Sequence, residues 1–145
     1  MPSVFSQIPS TEYEIENELA FAIRDQYPVS PGHTLIVPKR EISTWWEATD
    51  DERQAILELV DLVRALLINE SEPDGFNVGF NSGSAAGQTV DHLHVHVIPR
   101  YQNDMPDPRG GVRHVIPEKG NYLAPTTYVP KLTTPKERRL FNELV

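Results

Sequence analysis

Between His92 and Ile98 the chain alternates imidazole and aliphatic side chains, His92-Leu93-His94-Val95-His96-Val97-Ile98, and so places three of its five histidines at every second position. A period of two belongs to a β-strand and to no helix, and it sets side chains two apart on one face, about 6.6 Å from each other. The expectation is a last strand over Val90 to Ile98, ended by Pro99. Leu93, Val95 and Val97 would enter a core, and the three rings would line the opposite face.

The rest of the chain must supply that core. Leu19 to Ile23 and Thr34 to Val37 read as two short buried strands, separated by the turn formers Pro28, Ser30, Pro31 and Gly32. From Asp50 to Glu70 the apolar residues Ile56, Leu59, Val60, Val63, Leu66 and Leu67 recur at helical spacing. Thr49 with Glu52 three residues later has the form of a capping box at the helix start. Pro73 and Gly75 stop the helix, and Phe76, Val78 and Phe80 alternate with Asn77 and Gly79 as a half-buried strand does. Strands on short turns around one long helix predict an α+β fold, an antiparallel sheet of about five strands with the helix packed on one face. Trp45 and Trp46 lead into the helix as packing anchors, one of them in the core; the homodimer implied by the family resemblance given below would place the other at its seam.

A chain of 145 residues suits one hydrophobic core. After about residue 100 Pro, Gly and Arg become frequent, so residues 1–100 are expected to form the working core and 101–145 an extension of the same domain. Lys131 to Val145, with Leu140 and Phe141, reads as a short helix or as a loose end, the helix docking on a partner subunit in the homodimer that the family resemblance given below implies. With 13 Lys+Arg against 21 Asp+Glu, the net charge of −8 is the wrong sign for diffuse binding to nucleic acid. The absence of cysteine excludes disulfides, a thiol nucleophile and Cys-based metal sites. Met1 to Ser10 has no basic, apolar leader and no stretch approaches the roughly 20 apolar residues of a membrane span, so the chain reads as cytoplasmic with no membrane partner.

Three aligned imidazoles suit two chemistries. With a carboxylate such as Asp91 they could hold zinc and leave a position open for water. Alternatively, a neutral ring nitrogen could attack phosphorus or acyl carbon and form a covalent intermediate that water resolves. The preceding loop, Asn81-Ser82-Gly83-Ser84-Ala85-Ala86-Gly87-Gln88-Thr89, favours the second reading. Its glycines would let backbone N–H groups approach an anion, and its amides and hydroxyls would hold phosphate oxygens.

The run Gly87-Gln88-Thr89-Val90-Asp91-His92-Leu93-His94-Val95-His96-Val97-Ile98-Pro99-Arg100 resembles the signature of the histidine triad (HIT) family. Asp25 and Pro31-Gly32-His33-Thr34-Leu35-Ile36-Val37-Pro38 resemble that family's second block, so the resemblance spans roughly residues 3 to 100. It implies a homodimer in which each subunit holds one nucleotide. It also implies hydrolysis or transfer at the α-phosphorus with no required cofactor, a divalent cation entering only as substrate counter-ion. His94 would be the nucleophile, His96 would contact the scissile phosphate and help the leaving group depart, and His92 would orient the neighbouring ring through the backbone. His33 would support the triad from behind. Asn81, Gln88 and Thr89 match positions at the phosphate or leaving group, Asp25 the ribose position, and Phe5 the purine pocket.

The strand end at Pro99-Arg100 resembles the dinucleoside polyphosphate hydrolases of the fragile-histidine-triad type more than the nucleoside phosphoramidases, whose Trp-Pro-Pro-Gly tail is missing. In its place stands Pro106 to Pro117, where Arg109 and Arg113 would either reach distal phosphates or pair with nearby acids. The expected activity is nucleotidyl hydrolysis or transfer through a nucleotidyl-His94. Phosphorylase or phosphoramidase chemistry, a His-ligated metalloenzyme, and a non-catalytic nucleotide-binding module are the alternatives.

Overall fold

The protein, described by a computed structural model over residues 1–123, 134–136 and 139, divides into two compact units, Met1–Met105 and Pro106–Val145. The first unit holds a five-stranded antiparallel sheet made of β1 (Ile15–Glu16), β2 (Ala20–Arg24), β3 (Thr34–Pro38), β4 (Gly75–Gly79) and β5 (Val95–Arg100). The strand order is β1-β2-β3-β5-β4. One long helix, α1 (Asp50–Ser71), connects β3 to β4. The α+β class, the one long helix on the sheet and the number of strands agree with the expectation. Strand β1 is new, two residues being too short for a periodic signal.

Strands β2 and β3 carry near-continuous apolar runs because both faces of the sheet are covered. On one face Ala20, Ala22, Ile36, Val95 and Val97 pack against Ile56, Leu59, Val63 and Leu67 of α1. On the other, Phe21, Ile23, Leu35 and Val37 pack against Phe5, with Ile8 and Tyr13 alongside. The amino-terminal segment therefore does for one face what the helix does for the other. Trp45 stacks on Phe80, whereas Trp46 is 67% exposed and meets Phe80 edge-on.

Helix α1 begins as its sequence dictates. Thr49 Oγ1 accepts the Glu52 backbone N–H at 3.1 Å, and the Glu52 carboxylate accepts the Thr49 N–H at 2.9 Å. The buried Glu52 is also gripped by Arg40 at 2.7 and 3.1 Å, and this pairing holds its carboxyl below the usual carboxylate range. Thr49→Ala removes one of these partners and is expected to cost about 1 kcal/mol. Thermal denaturation should show this as a fall in Tm of about 3 °C.

The last strand departs from expectation. It starts at Val95 rather than Val90, because the Leu93 N–H bonds to the Ile42 carbonyl at 2.7 Å and draws residues 92–93 away from the ladder. The second unit is built on short 3₁₀ turns at Gly111–Val115 and Pro117–Lys119. Most of the stretch from Lys131 to Val145 lies outside the described residues. No helix among the described residues is long and apolar enough to cross a membrane.

Candidate active site

His96 pairs with Leu35 across β5 and β3, and opposed residues of an antiparallel pair point to the same face. His33, two residues before Leu35, and His94, two before His96, share that parity. All three rings therefore gather on the face covered by the amino-terminal segment. There His94 and His96 line a cleft of about 540 Å³. Its apolar wall contains Phe5, Ile8, Ile23, Leu35 and Val90, and its polar margin includes Glu12, Glu14, Arg24, Asp25, Tyr27 and Thr89.

The hydrogen bonds specify which ring nitrogens carry protons. His94 Nδ1 lies 2.8 Å from the His92 carbonyl, which can only accept, so Nδ1 bears the hydrogen. In the neutral ring Nε2 then keeps a free lone pair. The Val29 N–H donates to His33 Nδ1 at 3.1 Å, so the His33 hydrogen sits on Nε2, which is 2.9 Å from His96 Nδ1. His96 Nδ1 therefore accepts, and His96 Nε2 carries an N–H available as a donor. Backbone contacts at residues 29 and 92 thus assign opposite characters to two neighbouring rings: a lone pair on His94 and a donor on His96. The rings meet at 61° with centroids 5.2 Å apart.

His33 is held tightly enough to transmit this choice. Its N–H bonds to the Ser30 carbonyl and its carbonyl accepts the Asp25 N–H. Ser30 Oγ in turn donates to the Pro99 carbonyl at 2.6 Å, tying this turn to β5. Gly32, before it, has φ +92, and an added Cβ would meet Leu67 at 2.6 Å, so only glycine lets the chain enter β3 here.

Burial pushes the His96 pKa down to about 4, with the neighbouring His94 and His33 adding to the effect and Asp25 opposing it. Burial likewise lowers the pKa of His33, again against Asp25. Between roughly pH 4 and 6.5 the unfolded chain therefore binds a proton at residue 96 that the folded chain refuses. Stability should consequently rise with pH across that window. In urea titrations at pH 4.5 and 7, His96→Gln is expected to flatten this rise.

His92 is the first correction at the site. Its ring does not join the row: it is fully buried, donating from Nε2 to the Pro38 carbonyl at 2.8 Å and facing Ser3 Oγ through Nδ1 at 2.5 Å. With β5 starting only at Val95, His92 reaches the cleft through its carbonyl alone. The Gly-rich loop is the second correction. The amides of Gly83, Ala86, Gly87 and Gln88 are spent inside the loop rather than turned toward an anion. Gln88 braces it, donating to the Ser43 and Val90 carbonyls at 2.8 and 3.1 Å and accepting the Gly83 N–H at 2.9 Å. Thr89 stands exposed on the cleft wall, while Asn81 follows β4, half-buried and outside the cleft lining.

Asp25 sits on the margin with both oxygens engaged. Oδ1 accepts the Tyr27 N–H at 2.8 Å, an Asx-turn, and Oδ2 lies 3.4 Å from His33 Nε2. Phe5 is core and cleft at once: it is buried, with its ring 5.8 Å from His92 and 5.0 Å from His94. In the second unit Arg109 pairs with Asp107 at 3.0 Å, and the Arg113 guanidinium lies over Tyr122. Ser3, Val29 and Pro38 were not identified from sequence. Two of them act through backbone atoms, and a short serine near a terminus carries no periodic signal.

Among the described residues Asp25, His33 and His96 bring ligand atoms within 4.8 Å of one another. A cation there would need the lone pair of His33 Nε2, yet the Val29 N–H already occupies the lone pair on Nδ1. A neutral imidazole has only one, so this arrangement suits a shared proton better than a metal ion.

The HIT domain family matches residues 7–103, and the chain belongs to the HIT family. It is 38% identical over 106 residues to an AP-4-A phosphorylase of Mycobacterium tuberculosis, a match covering 69% of this chain and 54% of that enzyme. The chain thus spans about half the length of that relative. Among solved structures, a HIT family member from Bacillus subtilis superposes with TM-score 0.67 at 28% identity, covering 99% of this chain and 94% of that one. A diadenosine triphosphate hydrolase of Plasmodium falciparum superposes with TM-score 0.64 at 28% identity over 69% and 68% of the two chains.

Proposed function

We propose that this protein cleaves a dinucleoside polyphosphate at its α-phosphorus, forming a covalent nucleotidyl-His94 that water then hydrolyses. The observation that carries this reading is the His94 tautomer. With Nδ1–H held by the His92 carbonyl, Nε2 presents its lone pair to the cleft. That pair forms the N–P bond while the bridging P–O bond breaks, and the displaced nucleotide leaves as a phosphate oxyanion. His96 Nε2–H stabilises that oxyanion by a hydrogen bond. Water then attacks phosphorus, the N–P bond returns its electrons to His94, and the proton lost by water passes to solvent. The base packs on the apolar wall at Phe5 and Ile8, Asp25 lies within reach of the ribose hydroxyls, and Thr89 flanks the phosphates. Gln88 keeps the loop closed.

His96 argues for a polyphosphate over a phosphoramidate. An amine must be protonated to leave, and a ring whose pKa burial holds near 4 is neutral at pH 7 and binds negative charge without giving up a proton. A nucleoside polyphosphate leaves as a stable anion and needs only the hydrogen bond. The relatives described as an AP-4-A phosphorylase and a diadenosine triphosphate hydrolase support the same substrate class. No metal is needed for the reaction beyond a substrate counter-ion. The protein acts as a homodimer joined along β4, which forms one edge of the sheet and exposes Val78. Sedimentation at twice the 16.4 kDa chain mass tests that assembly.

Mass spectrometry of enzyme quenched during turnover of diadenosine polyphosphates should find one added nucleotidyl group, mapped to His94. Activity should survive chelators. Stimulation by inorganic phosphate would instead identify a phosphorylase, and unchanged substrate after prolonged incubation a binding module.

A further inference from the structure

We propose that Ser3 is a positioning residue for His94, acting through the buried ring of His92. The inference rests on His94 being the reacting ring. His92 is inaccessible to solvent and its two ring nitrogens are claimed from opposite edges: Nε2–H donates to the Pro38 carbonyl, which forces Nδ1 of the neutral ring to accept, and Ser3 Oγ–H supplies the donor. The Ser3 hydroxyl is itself held, accepting the Ser6 N–H at 3.2 Å, and the Ser3 N–H is anchored on the Glu41 carboxylate at 2.6 Å. A ring bound at both edges can neither flip nor slide, and its own backbone carbonyl is the acceptor that sets the His94 tautomer.

The same bond docks the amino-terminal segment that carries Phe5, two residues on. The Phe5 ring touches both His92 and His94. Ser3 therefore acts on His94 twice, through the carbonyl that holds Nδ1–H and through the ring packed on its face. Without the hydroxyl, Nδ1 of the buried His92 ring is an orphaned acceptor beneath the half-exposed Ser3. The ring must then recruit water or turn, and either response shifts the carbonyl that holds the His94 Nδ1–H.

The test compares Ser3→Ala, which deletes the donor, with Ser3→Thr, which keeps it. On a diadenosine polyphosphate, Ser3→Ala is expected to lower kcat about tenfold with KM within twofold, and Ser3→Thr to stay within about threefold of the parent, since a modest misplacement of a reacting group costs rate rather than binding. Nitrogen-15 imidazole spectra of the substrate-free protein supply a readout independent of activity. The His94 Nδ1–H signal should be protected in the parent and in Ser3→Thr, and should exchange at least about tenfold faster in Ser3→Ala. If Ser3→Ala does not fold, Ser3→Cys, a weak donor of similar shape, should fall between the other two. An unchanged His94 signal in Ser3→Ala overturns the proposal, as does a rate loss that Ser3→Thr shares in full. A His94 signal that responds in a protein whose His94→Ala variant still turns over would leave Ser3 as a positioner and discard the nucleotidyl-His94 reaction.

Discussion

His94→Ala is expected to lower turnover of a dinucleoside polyphosphate by at least about 10⁴-fold, because the proposed nucleophile has no substitute within reach of the cleft. His96 cannot take over: its Nδ1 accepts from His33 and its Nε2 carries the hydrogen, so it has no free lone pair to offer. His92 is sealed against Pro38 and Ser3. The fold should survive, since the residues on either side of His94, Leu93 and Val95, keep their places in the core against α1. Losing the Nδ1–H leaves the His92 carbonyl to be satisfied by cleft water, at a cost of about 1 kcal/mol. Nucleotide affinity should change little, because Phe5, Asp25 and Thr89 remain. A variant that binds nucleotide, melts within a few degrees of the parent and does not turn over is the expected result. His94→Gly with added imidazole should regain part of the rate, and the His94→Ala protein should show no added nucleotidyl mass. Turnover above about 1% of the parent would place the reacting atom elsewhere.

The parts of this molecule legible in its sequence are those that repeat a physical period or carry a residue type of narrow use. Helix α1 shows itself through apolar spacing and through Thr49 and Glu52, whose reciprocal bonds follow from local geometry alone. Alternation from Leu93 to Val97 identified the buried side of β5, and the same parity sends His94 and His96 to the other side. What lay beyond reach depends on tertiary partners. The start of β5 is decided by the Ile42 carbonyl, fifty-one residues before Leu93, and no local pattern announces it. Gln88 could as well have bound a ligand as braced a loop, since an amide offers the same donors and acceptor for either purpose. Arg109 found an acid two residues away, an outcome indistinguishable in sequence from a guanidinium held ready for phosphate. Ser3 has no spacing relation to the triad, and only the folded chain brings it to His92.

In the proposed reaction His96 acts by hydrogen bonding, so its removal should cost most where the leaving group is poorest. His96→Ala is expected to lower kcat on diadenosine polyphosphates by about 10²–10³-fold, the range observed when one donor to a developing oxyanion is deleted. On a nucleoside monophosphate ester of p-nitrophenol, whose leaving oxygen spreads its own charge into the ring, the loss should shrink to about tenfold or less. The pH profile separates this role from proton donation. A ring with its pKa near 4 stays neutral from pH 5 to 8, so the rate advantage of the parent over His96→Ala should be level across that interval. A general acid would instead make the advantage decline steadily as the pH rises. His33→Phe should imitate part of the defect: without the His33 Nε2–H, His96 Nδ1 loses the donor that keeps its hydrogen on Nε2, and the ring is free to turn its lone pair toward the departing anion. An equal loss on both leaving groups, or a steep pH dependence of the ratio, would remove His96 from the leaving-group side of the reaction.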